Sequence, residues 1–245
     1  FGQSKTPYGF INMQSSQNRL NLDRDDALNS GSANERDLGV FLYWAPVKRR
    51  KLLSDLVKLG LKGSGDYGCF GYGIYNGQNA NRPEINNSLH QVMRFSWPFN
   101  LGSQILEAGA QAYQGKFTLP NVSSGVKAIS DLTYDDRRAA ASFILYPKPF
   151  GIQAEYNVGR GPEFNKITDS IELTPIKGGY VLLNYQARYK GHIIHPFFRY
   201  TYYDGGKKHE LDARSYEVKE TEFGVEWIPF KNFELVVAYN IADRT

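Results

Sequence analysis

Cysteine is nearly absent. Cys69 is the only one in 245 residues, which excludes an internal disulfide and a thiolate metal cluster. Also missing is any run of about 18 apolar residues, so no helix of this chain can cross a bilayer. Strands remain possible carriers, because a spanning strand needs only about 9–11 residues with alternate ones apolar. No basic, apolar export leader opens the chain. It begins on Phe1-Gly2-Gln3 as though inside a strand and reads as mature or truncated protein, so a missing leader is uninformative. Charge is close to balanced. A net charge of +4 is too mild to indicate a nucleic-acid partner.

Catalytic and cofactor signatures are equally scarce. His90, His192, His195 and His209 are scattered, with no helical H-x-x-x-H pair for zinc. His192 and His195, near a short turn, read as interfacial polar groups. Asp25-Asp26 and Asp135-Asp136 read as solvated loop pairs. Gly63-Ser64-Gly65-Asp66-Tyr67-Gly68 matches GxGxxG, but it precedes an alternating strand rather than opening a helix. A dinucleotide site needs the opposite context. No serine elbow or Walker loop occurs. The expectation is a protein that is not an enzyme and needs no metal or cofactor.

What is present is alternation, with 24 Gly, 17 Tyr and 15 Phe to favour strands and tight turns. In FGIQAEYNVG (150–159), Phe150, Ile152, Ala154, Tyr156 and Val158 share one face, while Gln153, Glu155 and Asn157 share the other. The same rule holds for Leu38/Val40/Leu42/Trp44, Met93/Phe95/Trp97, Val181/Leu183/Tyr185 and Phe223/Val225/Trp227. Together with residues 2–9, the pattern gives roughly eleven strands. Their connections differ in kind. Those near 98–102, 147–149, 190–191 and 229–231 are short, whereas 10–36, 77–88, 117–136, 160–178 and 204–214 are long and polar. Tight turns at one end and long loops at the other predict an all-β, antiparallel transmembrane β-barrel, one domain over 1–245. Residues 47–65 break the parity. Leu52, Leu53, Leu56, Val57 and Leu59 predict a helical insertion at a short turn, packed on the barrel rim, with a surface or partner-binding helix as the alternative.

Four aromatic-proline motifs mark the short-turn end: YWAP (43–46), WPFN (97–100), YPKPF (146–150) and WIPF (227–230). They contain Trp44, Trp97 and Trp227, placed as a membrane-interface girdle, with proline ending each strand.

The segments GQSKTPYGF (2–10), NRLNLDRDDALNS (18–30) and NERDLGVFLYWAP (34–46) closely resemble the phosphate-selective porin O and P family of bacterial outer membranes. The likeness continues through LEAGAQAYQGKFTLP (106–120) and EFGVEWIPFKNFELVVAYNIADR (222–244). The resemblance implies a sixteen-stranded barrel, usually a homotrimer in outer-membrane lipid, passing small ions or anions by diffusion. It also implies that residues 10–36 fold into the pore as a constriction. If residues 2–9 are the family's fifth strand, four strands are missing at the front and one at the back.

With the oily face outward, the candidate pore-lining and constriction residues are Lys5, Arg19, Arg24, Arg36, Arg94, Arg138, Arg188, Arg199, Glu107 and Glu155. Asp37, Glu220, Glu222, Glu226 and Glu234 add negative charge to the same face. Arginine suits phosphate because its planar fork donates paired, charge-assisted hydrogen bonds. Closely spaced arginines with few carboxylates nearby would form a dedicated phosphate lining, and this face is mixed instead. The expected function is an outer-membrane porin, a passive channel for small hydrophilic solutes, anions such as phosphate among them. The alternative is a secreted or periplasmic β-barrel binding protein with an interior ligand site, in which Leu38, Val40 and Leu42 would point inward.

Overall fold

The computed structural model describes residues 1–245. Twelve strands form one antiparallel sheet: β1 (Gly2–Lys5), β2 (Arg36–Trp44), β3 (Phe70–Tyr75), β4 (His90–Asn100), β5 (Ile105–Thr118), β6 (Thr133–Leu145), β7 (Phe150–Asn165), β8 (Ser170–Tyr185), β9 (Ala187–Tyr189), β10 (His192–Gly206), β11 (Ser215–Ile228) and β12 (Leu235–Arg244). Each pairs with its neighbour in sequence, except that β9 is a short continuation of β8 beyond Gln186, so that β8 and β9 both pair with β10. β1 and β12 are the edges and are not hydrogen-bonded to each other.

Several boundaries differ from the sequence expectation. The first strand stops at Lys5, and Thr6–Gly9 leave the sheet with Tyr8 buried. Pro7 carries no N–H for a ladder, and Gly9 takes a φ of 83° where a Cβ would lie 2.8 Å from Leu28. Residues 160–165 and 170–178 are not loop but an extension of the β7–β8 hairpin, paired in register to Asn165↔Ser170.

The faces are the reverse of a soluble sandwich. Leu38, Val40 and Leu42 are 51%, 58% and 60% exposed, and Phe143, Phe150, Tyr156, Val158, Val181, Phe223 and Val237 also face out. Turned inward and buried are Arg94, Glu107, Gln111, Gln153, Glu155, Asn157, Asn184, Arg199 and Glu222. One strand shows why: with period two, Phe150 through Val158 puts every apolar side chain on one surface and every polar one on the other.

Polar groups can be buried there because two insertions fill the interior. The first, residues 6–35, carries α1 (Phe10–Met13) and α2 (Asp26–Asn29). Its Tyr8, Ile11, Leu20 and Leu28 pack on Tyr75, Val92, Tyr113, Tyr180, Leu182 and Phe197 of the wall. The second is α3 (Val47–Lys58) with the segment that follows it to β3. Leu53 and Leu56 sit at i, i+3 and bury one stripe against Phe10, Ile105, Ile144 and Tyr146, while Leu59 stays half exposed. A Schellman motif ends the helix: Gly60 N–H donates to Val57 O and Leu61 N–H to Leu56 O, both at 2.9 Å, with Gly60 at φ 69°. The chain then crosses the interior. Lys62 bonds Glu226 of β11, although Lys62 lies just before β3.

Candidate functional site

The first insertion is fastened to the inner wall by hydrogen bonds from three strands and the loop between β10 and β11. Phe10 N–H donates to Glu155 Oε2 of β7 (2.6 Å), and Tyr8 Oη donates to Asn157 Oδ1 (2.7 Å). Arg138 of β6 donates to Ala27 O (3.1 Å), Ser30 Oγ (2.6 Å) and Ser30 O (3.0 Å). Arg199 of β10 donates to Asp23 O at 2.8 Å. Lys207, from the loop between β10 and β11, pairs with Asp26 at 2.5 Å. These are the bonds a chain needs when its turns and helix ends leave carbonyls unpaired against a dry surface.

Each cation in this seat has an anion. Asp136 accepts from Arg138 (3.1 Å), from Tyr113 Oη (2.7 Å) and from Lys208 Nζ. Lys208 reaches in from the same loop and lies 4.5 Å from the Phe117 ring centre. Burial lowers the Lys208 pKa, and the Asp136 carboxylate opposes that shift. Arg199 pairs with Glu220 (3.0 Å) and Glu222 (2.8 Å), and Arg94 with Glu107 (3.2 Å). Glu107 also accepts from Ser96 and from Tyr146 Oη.

Within the insertion, Lys5 Nζ donates to Asn12 O (2.8 Å) and Gln14 O (2.6 Å) and pairs with Glu35 at 3.0 Å. Arg19 meets the same Glu35 at 2.8 Å. Burial alone would raise Glu35, but these two cations hold its pKa below the ordinary carboxylate value. Arg24 donates to Asn12 Oδ1, Ser32 O and Ala33 O. Asp25 caps α2 by accepting from Leu28 N–H at 3.1 Å, and its full burial pushes its pKa up to about 6.

The candidate residues therefore separate. Lys5, Arg19, Arg24, Arg138, Arg199 and Glu155 converge on the first insertion, whereas Arg94 and Glu107 sit on the wall below it. Arg94, Arg138 and Arg199 are buried and paired rather than facing open water. Arg36 is exposed and stands on the outward parity of Leu38, because it is the first residue of β2 rather than the last of the loop. Arg188 is also exposed. It donates to Leu59 O at 2.9 Å, fixing the end of α3 at the short-turn mouth. Glu234 is exposed as well.

Other expectations need correction. Asp136 belongs to β6 and is fully buried, and Asp25 and Asp26 are buried too. Extending the alternation from Ala140 back through Arg138 would have placed Asp136 inside. His195 is fully buried on the inner face. His192 accepts at Nδ1 from Trp227 Nε1 at 3.0 Å, and the two rings stack. Lys62, Lys207 and Lys208 were missed entirely, because only the folded path of a connection brings them to the interior. The GxGxxG stretch does link α3 to β3, and a Cβ on Gly68 would lie 2.7 Å from Trp44 O. Trp44, Trp97 and Trp227 all lie near the ends of strands running toward the short turns, and Arg49 covers the Trp97 ring at 5.1 Å.

A single up-and-down sheet, apolar outside and charged inside, with a long hairpin connection folded against its inner wall, defines the class of porin-type β-barrels. The comparison with known families agrees: the whole chain, residues 1–245, matches the family described as phosphate-selective porin O and P, and it belongs to that family. This is a channel family of the bacterial outer membrane, not an enzyme class. No individually curated protein matches the chain.

Proposed function

We propose that the chain forms the wall and constriction of a water-filled pore through which small hydrophilic solutes, phosphate and other small anions included, diffuse passively. The observation that carries this reading is the inverted pair of faces with residues 6–35 docked on the polar one. A solute then meets fixed, paired charges that let it enter without holding it. In this reading Arg138, Arg199 and Glu155 act by positioning the constriction, and Lys5, Arg19 and Arg24 stiffen it. The second insertion narrows the short-turn, periplasmic mouth. The native assembly is a homotrimer in outer-membrane lipid, as expected of the family.

The binding-protein alternative requires Leu38, Val40 and Leu42 to line an interior site, and their exposure speaks against it. Planar-bilayer recording tests the pore directly. Single-channel conductance with a reversal potential displaced toward the anion supports it, and phosphate added as competitor should lower the chloride current. A folded protein that inserts yet conducts nothing would defeat the proposal.

A further inference from the structure

Among the exposed charges of the outer surface, two arginines stand directly opposite each other. Along β7 the outward apolar residues run from Phe150 to Val158, about 27 Å at roughly 3.4 Å per residue. The next outward residue is Arg160. Its direct partner across the β6–β7 ladder is Arg137. Side chains directly opposite in an antiparallel pair lie close, and like charges there are destabilising unless something neutralises them.

Protein groups do so only in part. Arg137 has Asp135 at 3.0 Å, and Arg160 has only the Leu173 carbonyl at 3.2 Å. Lys177 stands on β8 opposite Val158, one outward position nearer mid-membrane than Arg160, paired with Asp204 at 3.3 Å, and both groups are about half exposed. Two concavities flank the arginines. On one side Gln91, Gln114, Lys116, Asp135 and Arg137 line a polar hollow of about 190 Å³. Toward mid-membrane an apolar groove of about 370 Å³ runs over Ala141, Ala154 and Gly179, walled by Tyr156, Tyr200 and Tyr202. A small-residue floor between tyrosines suits an alkyl chain. The forks above it suit phosphate oxygens.

We propose that this surface binds one phosphorylated lipid of the leaflet at the long-loop end, its acyl chain in the groove and its phosphates bridging Arg137 and Arg160, with Lys116 beside them. The proposal rests on the outward face being the membrane face, but not on conductance.

Native mass spectrometry of the full chain folded in neutral detergent tests it. The probes are a diphosphorylated acyl-disaccharide lipid, its dephosphorylated counterpart and phosphatidylglycerol. The diphosphorylated lipid should bind at about tenfold lower concentration than either other probe, in line with charge-assisted bonding. Arg137→Gln with Arg160→Gln should erase that preference. The Lys pair at the same positions should keep part of it, which guards against a folding defect. Ala141→Trp should weaken all three probes, and Lys148→Gln with Lys190→Gln, at the other rim, should change nothing. Equal binding of the three lipids, or a preference that survives the double Gln variant, overturns the proposal. A barrel that keeps the preference but carries no current would instead count against the pore.

Discussion

The two insertions occupy the same interior but are held by different physics. Residues 6–35 are fixed twice, by an apolar patch under Tyr8, Ile11, Leu20 and Leu28 and by charged side chains that reach their backbone from β6, β7 and β10. The α3 insertion is fixed mainly once, by Leu53, Leu56 and Leu61 on an apolar patch that includes Ile105 and Ile144. Its far end is tied by Lys62 on Glu226, Gln186 on Gly60 O, Arg188 on Leu59 O, Gln14 on Lys62 O and Arg94 on Gly68 O. A polar lumen can seat a segment only by satisfying that segment's own polar groups, unless the wall supplies apolar residues locally. The wall does so beside the short turns, where Ile105 opens β5 and Ile144 ends the inward series of β6. Electrostatics should therefore govern the first insertion, and packing the second.

The largest effect should come from Asp136→Ala, which leaves Arg138 and Lys208 buried without their shared carboxylate. The expected loss is about 3–5 kcal/mol, as for removing one partner of a buried pair. Urea titration of the folded protein in micelles measures it, and single-channel noise should rise as the first insertion loosens. A variant as quiet and as stable as the parent would show that the charged seat is not what holds the loop.

Leu56→Ala should cost about 2–4 kcal/mol through lost transfer energy and a residual cavity. Proteolysis should then find the 59–68 segment while leaving residues 6–35 protected. Simultaneous release of both would merge what the comparison separates.

A pH series addresses the first insertion alone. Asp25 has a folded pKa of about 6 against an ordinary 3.8, so the folded state favours its protonated form. That contribution is complete below about pH 3.8 and is lost as pH rises through about 6. The loop should be more protected from protease at pH 5 than at pH 7.5, and Asp25→Asn should flatten the difference. A slope unchanged by that substitution would assign the effect to another group.

The smallest effect belongs to Arg188→Ala. An exposed guanidinium on one helix-end carbonyl is worth about 0.5–1 kcal/mol. Fraying should be confined to the last turn of α3, visible in hydrogen exchange of Leu59–Leu61.

Much of the wall was legible in the sequence, and the reason is period two. Leu38/Val40/Leu42/Trp44 and Phe150 through Val158 carry their orientation in their spacing, and every such set faces outward. The helix at 47–58 was legible from Leu52, Leu53 and Leu56. The seat of the first insertion was legible in only one direction. Arg138 and Arg199 were visible as inward strand positions, but Lys62, Lys207 and Lys208 sit in connections where no periodicity applies. Asp136 was hidden by reading the loop four residues too far, into β6. Arg36 and Arg188 were misplaced for a related reason, since a residue at a strand end follows either the strand's parity or the path of the neighbouring loop.

The reach of Lys207 and Lys208 also sets an order in time. Asp26 waits for a partner 181 residues later in the chain, and Asp136 for one 72 residues later. Contacts of such long sequence separation form late, because the intervening chain must first be ordered. Residues 6–35 should thus be the last part to settle, after β10 and β11 have joined the sheet. Until then residues 6–35 should stay open to protease on the nascent wall. Pulse proteolysis during refolding should record that interval as cleavage in 6–35 outlasting cleavage in β4–β8. Protection of residues 6–35 before β10 joins would reverse the order.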